Sequence, residues 1–518
     1  MKKSFFFNTV ILTLTSQTLR IIGIYFIAFL SGKIGTEGIG LYQLIFSIYY
    51  LVATMATSGI AIAVTRLTAE AIGKSGRKST SDVLRCCVLL SLFLSVTVSA
   101  TLFFSAEFIG SSLLGDARTV ISLKILAPSL PFMAVSSCLR GYFYGVRKAF
   151  KPASEMIFEQ IVQILMIIAV IDYFIPKGLE YACLAIVLAT TAAEVLSCGY
   201  SFTLFQVERR RSRLAVVKEK GTWRKIMNIF LPVAATSYLR SGLRTAENVL
   251  IPSGLKKFGA ANKDALSQYG LLIGMVMPIL VFPSSFLSAI STLLIPEISE
   301  ANALDNRQKV MGAISRVFQL TLLLSLLFCG MFIFFADDIG LSIYQNKEAG
   351  GLLMILAPLV PLIYLDFIVD GMLNALNQQM RTLKINILDY TIRITLILIL
   401  IPRYGLLSFI AIFYISTVLN AYLSINRLVR VSNVKVEISA WILKPLLSII
   451  AAGSVTSLIM RLLPPDYFPL GLTLAVEIIL TMVLYFCFLF MVRSLTKKDV
   501  TWFKGIVKGT PKPLQSNR

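Results

Sequence analysis

A short apolar phrase occurs twice in this chain, 230 residues apart. ILAPSLP at residues 125–131 returns as ILAPLVP at residues 355–361. A duplication whose two copies are this far apart along the chain is typical of membrane transporters built from two equivalent halves. The same offset pairs three further positions: Gly40 with Gly270, Glu70 with Glu300, and Gly141 with Gly371.

The composition restricts where such a chain can fold. Of its 518 residues 56% are apolar and only 15% are charged, and the mean hydropathy is +0.79. Soluble domains carry about 25% charged residues, so we expect an all-α integral membrane protein. The sequence has no histidine, which excludes imidazole metal ligands and Ser-His nucleophiles. We therefore predict a transporter and not an enzyme, with no catalytic residue, no metal site and no cofactor.

Fourteen segments meet the requirement of about 20 mostly apolar residues for a spanning helix. The first begins close to the N-terminus and carries Arg20 at its centre, which favours a retained span over a cleaved signal peptide. The predicted spans are 8–31, 39–67, 83–106, 119–144, 153–174, 179–204, 226–251, 267–295, 311–335, 350–375, 383–402, 405–428, 441–463 and 470–492.

The distribution of basic residues predicts the orientation of these spans. If the N-terminus is cytoplasmic, 33 of the 49 Lys and Arg residues lie in or beside cytoplasmic segments, and 10 lie outside. Cytoplasmic segments of membrane proteins are enriched in basic residues, so both termini are predicted to be cytoplasmic. The net charge of +22 then faces membrane lipids, and nucleic acid is not required as a partner.

An offset of 230 residues contains six predicted spans, so the second copy enters the membrane in the same direction as the first. This predicts two parallel six-helix lobes plus two additional C-terminal helices, in a chain expected to be a monomer. The predicted segments are the N-terminal lobe 1–205, the basic cytoplasmic linker 206–225, the C-terminal lobe 226–430, helices 13 and 14 at 431–493, and the basic cytoplasmic tail 494–518.

The first predicted span carries a polar stripe on an otherwise apolar helix. Thr13, Gln17 and Arg20 follow one another at helical spacing. Arg20 lies about 12 residues into the span, roughly 18 Å at 1.5 Å per residue. Charges at that depth are costly and usually face the protein interior or a wet cavity.

Further arginines occur on predicted spans 7 and 2. Arg240 and Arg244 lie one turn apart on span 7, and Arg66 lies near the end of span 2. Together with Arg20 they predict a basic cavity that binds a phosphorylated headgroup, since guanidinium groups match phosphate oxygens in bidentate fashion. The alternative is a set of structural ion pairs, for example Arg244 with Glu247.

Acidic residues also occur at predicted membrane depth. Asp389 and Arg393 are four residues apart and most simply form an ion pair. A second interpretation is that Glu247, Asn386 and Asp389 bind a coupling cation, Na⁺ or H⁺, although no compact ligand motif marks such a site. The remaining predicted buried acids are Glu159, Glu194, Asp366, Asp370 and Glu477.

Three longer segments resemble a known family. GIAIAVTRLTAE, LKILAPSLPFMAVSSCLRGYFYGVRKAFKPAS and SGLRTAENVLIPSGLKKFG are similar to the stage V sporulation protein B and polysaccharide biosynthesis family of the MOP exporter superfamily. That superfamily also contains lipid II flippases and MATE drug exporters. The resemblance extends over essentially the whole chain and implies a MOP/MATE-like fold.

The resemblance implies a flippase for lipid-linked oligosaccharide in the bacterial plasma membrane, acting in cell-wall or spore-cortex peptidoglycan synthesis. The substrate would be an undecaprenyl-pyrophosphate-linked glycan, and cell-wall synthesis enzymes would be further partners. Lipid II-type flippases use arginines on spans 1, 2 and 8. Arg20 and Arg66 match the first two, but residues 267–295 contain no Lys or Arg, so the third is absent or supplied by Arg240 or Arg244.

Two other functions stay open at this stage. One is a cation-coupled, MATE-like exporter of small drugs, which the two extra spans and the basic cavity disfavour. The other is a non-transporting scaffold that recruits wall-synthesis enzymes through basic loops. The scaffold differs from both transporters because it predicts that neutral replacements of the buried arginines are harmless.

Overall fold

The computed structural model describes residues 2–75, 80–212, 221–434, 437–462 and 469–495. The predicted basic tail lies outside the described residues from 496 onward, as does the central part of the linker, 213–220. The described residues are helical, with no β-strand. They form two compact units, the first comprising 1–26 and 33–270 and the second comprising 27–32 and 271–518.

Long helices dominate the first unit because its apolar runs are interrupted mainly at glycine, proline and short polar turns. Its α-helices are α1 (Lys2–Thr57), α2 (Ile60–Ser75), α3 (Thr80–Glu107), α4 (Thr119–Leu126), α5 (Ser129–Gly145), α6 (Phe150–Phe174), α7 (Leu179–Ser212), α8 (Thr222–Lys257) and α9 (Asn262–Tyr269).

The second unit continues the same pattern. Its α-helices are α10 (Met277–Val281), α11 (Ser284–Ala303), α12 (Arg307–Phe334), α13 (Ala336–Tyr344), α14 (Lys347–Leu356), α15 (Val360–Ala375), α16 (Gln379–Tyr404), α17 (Leu406–Ser432), α18 (Lys444–Leu462) and α19 (Leu470–Met491).

The helix α1 is two helices joined at a break. Gly35 has a backbone φ of 68° and ψ of −177°, a conformation that glycine adopts readily and other residues adopt rarely. A second break follows α1, where Gly59 has a φ of 80°. The apolar segment Val10–Gly73 is 64 residues long, or about 96 Å if it were one straight helix, roughly three times the thickness of a membrane core.

Membrane-spanning helices account for most of the described chain. Eleven are long and apolar enough to cross a membrane, and twelve if the bent pair formed by α4 and α5 is one span. The protein is therefore a multi-pass membrane protein. The fourteen spans predicted from the sequence exceed this number, because Val10–Gly73 is one continuous apolar segment and the charged helix α8 is not among the eleven.

The duplicated prolines lie at helix breaks, which the missing backbone donor of proline favours. Pro128 separates α4 from α5, which are bent by 44°. Its counterpart Pro358 lies in the 3₁₀ turn Ala357–Leu359 that separates α14 from α15. Pro232, by contrast, lies inside the unbroken helix α8.

Two repeat-equivalent glycines meet inside the first unit. A Cβ atom added at Gly40 of α1 would lie 2.0 Å from the carbonyl oxygen of Leu266 in α9, and one at Gly270 would lie 2.2 Å from the carbonyl oxygen of Thr36. The hydroxyl groups of Thr36 and Ser267 form a hydrogen bond beside this crossing. The two backbones can approach so closely only because neither glycine has a side chain.

An ion network holds the same end of the first unit, which the charge pattern assigns to the outside. Arg118 donates to Glu37 at 2.9 Å and to Asp116 at 2.7 Å, and Asn262 donates to Asp116 at 3.0 Å. Burial raises the pKa of Asp116, but the hydrogen bonds from Arg118 and Asn262 outweigh it and hold that pKa below its usual value. The stabilisation is therefore complete at neutral pH and is lost only as the pH falls through that lowered value.

The two predicted additional helices, α18 and α19, pack against α12 in the second unit. The Tyr485 hydroxyl of α19 donates to the carbonyl oxygen of Leu323 at 2.8 Å, and Thr481 donates to Thr456 of α18 at 2.9 Å. Large apolar side chains such as Leu447 and Ile479 stay exposed on these helices. An exposed apolar face is expected where a helix borders lipid.

Candidate functional site

The polar stripe of α1 lies on the part of that helix before the break at Gly35. Thr13 and Gln17 are partly buried and Arg20 is exposed. Among the residues that the structure describes, Arg20 makes no hydrogen bond or ion pair. Its guanidinium is therefore available to a ligand or to water.

Three side chains of α8 fasten that helix to α1. The Tyr238 hydroxyl donates to the Met55 carbonyl at 2.8 Å, and the Thr245 hydroxyl donates to the Ser47 carbonyl at 3.2 Å. The hydroxyl of Ser241 lies 3.4 Å from that of Thr54. Positions 238, 241 and 245 recur at three- and four-residue intervals, so one face of α8 packs on α1.

Arg240 and Arg244 lie beside this packed face and are exposed. Arg240 makes no hydrogen bond or ion pair with any other described residue. Arg244 interacts electrostatically with Tyr50 of α1 and with Tyr269 of α9. Glu247, one turn further along α8, is 7% exposed.

Arg66 on α2 forms an ion pair with Glu70, with Nε 3.0 Å from Oε1. The two side chains are 66% and 44% exposed, and such exposed pairs contribute about 0–1 kcal/mol to stability. The adjacent Thr65 hydroxyl donates to the Gly141 carbonyl at 3.1 Å, which fixes α2 on α5. The two terminal nitrogens of the Arg66 guanidinium make no hydrogen bond with a described residue.

The first unit therefore contains all four predicted arginines. Arg20, Arg66, Arg240 and Arg244 come from α1, α2 and α8, and all four side chains are exposed. An exposed side chain at membrane depth contacts either lipid or water. Contact of a guanidinium with hydrocarbon is strongly unfavourable. The assignment of these residues to a substrate site stays a prediction.

The predicted ion-coupling residues lie in two units. Glu247 belongs to the first, whereas Asn386 and Asp389 lie on α16 in the second. Arg393 donates to Asp389 at 2.8 Å, which is the ion pair that their four-residue spacing predicts. The Ser416 hydroxyl also donates to Asp389.

Neighbouring polar residues continue this cluster in the second unit. Asn386 donates to Asp370 at 3.0 Å, and Asn420 of α17 donates to Asp366 at 2.9 Å. Asn386 and Asp389 thus have different hydrogen-bonding partners. Their proposed joint role in binding a cation stays a prediction.

The sequence reading missed a second charged cluster, which lies in the first unit. Arg140 of α5 contacts Glu155 and Glu159 of α6, with nitrogen–oxygen distances of 2.9 Å and 3.5 Å. The Ser197 hydroxyl of α7 is 2.8 Å from Glu155 and 3.1 Å from Glu159. The repeat offset could have found it, because Glu159 is equivalent to Asp389.

A cavity of about 370 Å³ borders this cluster. Arg140 and Glu159 contribute the charged groups to its lining, and Tyr144 and Gln160 contribute further polar groups. Leu19, the residue before Arg20 in α1, also lines it. The first unit therefore has an open, partly polar cavity among its helices.

The described chain is thus a multi-pass membrane protein of long, bent helices with a polar cavity in its first unit. A family model described as polysaccharide biosynthesis protein matches residues 6–302, and one described as MatE matches residues 258–399. The first match covers more than half of the chain. The chain belongs to the polysaccharide biosynthesis protein family.

Individual relatives agree with this assignment. The chain is 28% identical over 407 residues to stage V sporulation protein B of Bacillus subtilis strain 168, covering 78% of this chain and 79% of the relative. It is 22% identical over 456 residues to the lipid II flippase MurJ of the same strain, covering 81% and 82% respectively. The predicted membership is thereby confirmed.

Solved structures confirm the fold. The inward closed conformation of lipid II flippase MurJ superposes with a TM-score of 0.65 at 13% identity, covering 92% of this chain and 98% of that one. An inward-facing MATE family multidrug transporter superposes with a TM-score of 0.60 at 14% identity, covering 81% and 96%. The MOP/MATE-like fold that the resemblance implies is present.

Proposed function

We propose that this protein is a flippase for a lipid-linked oligosaccharide of the lipid II type, working in cell-wall or spore-cortex synthesis by alternating access. The observation that carries the proposal is the set of exposed guanidinium groups on α1, α2 and α8. Because they cannot face hydrocarbon, we assign them to a wet cavity in which they bind the pyrophosphate of the substrate. A relative named as a lipid II flippase supports this substrate class, and one named as a sporulation protein supports a role in spore formation.

Each proposed substrate-binding residue has a separate task. Arg20 and Arg240, which have no partner among the described residues, are the principal pyrophosphate ligands. Arg66 and Arg244 add positive charge at the edge of the site. Thr13 and Gln17 continue the Arg20 face of α1 and offer hydrogen bonds to the sugar part of the headgroup.

We propose fourteen spans in two parallel six-helix lobes, 1–205 and 226–430, joined by the basic linker and followed by α18 and α19. Division of Val10–Gly73 at Gly35 adds one span to the twelve counted above. The helix α8 supplies the other, because its 36 residues are long enough to cross a membrane. Its arginines exclude it from a purely apolar criterion and would face the cavity.

The proposed orientation places both termini and the linker in the cytoplasm of a bacterial cell. A cysteine introduced at Ser212 or Ser516, in a background without native cysteines, should resist membrane-impermeant thiol reagents in intact cells. A control cysteine at Lys177, in a short turn assigned to the outside, should react. Labelling of position 212 or 516 from outside would reverse the assignment.

Transport also needs a source of free energy. An inside-negative potential of 100 mV favours outward movement of one net negative charge by about 2.3 kcal/mol, so a pyrophosphate headgroup can be driven partly by voltage. Glu247 in the first unit and, separately, Asn386 and Asp389 in the second are proposed ligands of a coupling cation, Na⁺ or H⁺. Removing Na⁺ at constant potential tests this role, because a Na⁺-coupled flippase should then lose most of its activity.

The second candidate function is cation-coupled drug export, which the MatE model match at residues 258–399 favours. Binding to the purified protein, measured by native mass spectrometry, separates the two functions. We expect undecaprenyl-pyrophosphate-linked glycan to bind and to be displaced by undecaprenyl pyrophosphate, whereas a lipophilic organic cation does not compete. Retention of the organic cation with no binding of the lipid would favour the exporter.

A further inference from the structure

The charged cluster of the first unit contains more negative than positive groups. Glu155 is fully buried and Glu194 is 5% exposed. Arg140 and Glu159 complete the set, with Arg140 bonded to Glu155 and close to Glu159. If every group were ionised, three carboxylates would surround one guanidinium and leave two uncompensated negative charges at membrane depth.

Glu194 of α7 is the least well compensated member. Its charged neighbours are Glu159 and Glu155 from α6 and Arg140 from α5, so two of the three are like charges. Its other titratable neighbours are Tyr49 and Tyr50 from α1 and Cys198 from α7. None of these carries a positive charge.

One oxygen of Glu194 is buried without a partner. Its Oε2 makes no hydrogen bond with any described residue, although the side chain is enclosed. A buried carboxylate oxygen without a donor carries a large desolvation cost. A proton on that oxygen removes the charge and with it most of this cost.

A metal ion fits this cluster poorly. The guanidinium of Arg140 occupies the space between Glu155 and Glu159 that a cation would need. Within the described part of the chain, no three carboxylates converge in a geometry that could hold a metal ion. The compensating charge is therefore best supplied by protons.

We propose that Arg140, Glu155, Glu159 and Glu194 form a proton-binding site in the first unit, with the bound proton on Glu194. The polar cavity supplies the route, because Arg140 and Glu159 belong to its lining. On binding, one O–H bond of a hydronium ion in the cavity water breaks and an O–H bond forms on the Glu194 carboxylate, which leaves a neutral acid and a water molecule. The site is separate from the proposed cation ligands Asn386 and Asp389 in the second unit, and it does not depend on the identity of the transported substrate.

Infrared titration of the full-length protein in lipid nanodiscs, without substrate, tests the site. The carbonyl stretch of a protonated carboxyl group should be present at neutral pH and bleach as the pH is raised. Glu194→Gln, which keeps the side-chain shape, should remove one such band. The control Glu107→Gln, at an exposed position at the end of α3, should leave the spectrum unchanged. An unchanged band in Glu194→Gln would overturn the proposal.

A second measurement uses the native protein and does not depend on how a variant folds. Hydrophobic carbodiimides react with protonated carboxyl groups inside membranes, and peptide mass analysis then locates the modified residue. We expect modification at Glu194 that decreases as the pH rises. Absence of labelling there, or labelling independent of pH, would contradict the site while leaving the flippase proposal intact. If Glu194 is labelled as expected but the protein does not bind the lipid-linked glycan, only the flippase proposal is contradicted.

Discussion

Replacing Arg20 or Arg240 by alanine is expected to abolish transport. Both guanidiniums are exposed and have no partner among the described residues, so their removal leaves no buried carboxylate uncompensated. Membrane abundance and thermal stability should therefore stay close to those of the native protein. Complementation of a flippase-deficient or cortex-deficient strain, at matched expression, measures the effect.

The lysine variants sharpen this prediction. Arg20→Lys and Arg240→Lys keep the positive charge but lose the bidentate fork, so we expect partial complementation. Arg403→Ala removes an exposed arginine at the end of α16 and serves as the matched control, which should complement fully. Full activity of both alanine variants would mean that these arginines do not bind the substrate, and it would favour the scaffold.

Substitution at the crossing of α1 and α9 is expected to have the largest effect on stability. A Cβ atom at Gly40 or Gly270 would lie 2.0 Å or 2.2 Å from a backbone carbonyl oxygen, and backbone atoms cannot move aside as a flexible side chain can. Overpacking of this kind costs about 1–3 kcal/mol. Gly40→Ala and Gly270→Ala should each lower the midpoint of thermal unfolding of the purified protein, and the transport rate should fall with it.

A neutral glycine provides the control for that measurement. An added Cβ at Gly199 of α7 meets nothing within 4 Å, so Gly199→Ala should be neutral or slightly stabilising because alanine favours the helix. An unchanged unfolding midpoint in both crossing variants would show that the two helices do not approach so closely in the membrane.

The sequence predicts the class and much of the fold because both depend on long-range averages. Apolar runs indicate which segments are helices. The repeat offset indicates that Gly40 and Gly270 are equivalent positions. Their mutual contact is a different kind of information. It depends on how α1 crosses α9, which no local pattern in either segment contains.

The same distinction applies to charged residues. Asp389 and Arg393 lie on one helix at a spacing of four residues, so their ion pair follows from helical geometry alone. Arg140 and Glu155 come from different helices, and their contact depends on the packing of α5 against α6. For that reason the sequence predicts Glu159 and Glu194 as separate buried acids and does not predict the cluster that includes them.

Helix boundaries are a third feature that the sequence predicts only in part. The prolines at positions 128 and 358 interrupt their helices, whereas Pro232 does not interrupt α8. A proline removes one hydrogen-bond donor, and whether the helix breaks depends on what neighbouring helices can accommodate. Local composition shows that a hydrogen-bond donor is missing, but it does not show whether the helix breaks.

The central claim is tested most directly by headgroup translocation in proteoliposomes. The purified protein is reconstituted with a fluorescent undecaprenyl-pyrophosphate-linked glycan, and the fraction of headgroups that a membrane-impermeant quencher can reach is followed over time under an imposed membrane potential. We predict that the native protein moves headgroups across the bilayer much faster than protein-free liposomes do, and that Arg20→Ala reconstituted at the same density does not. Equal rates for the native protein and protein-free liposomes would contradict the flippase account.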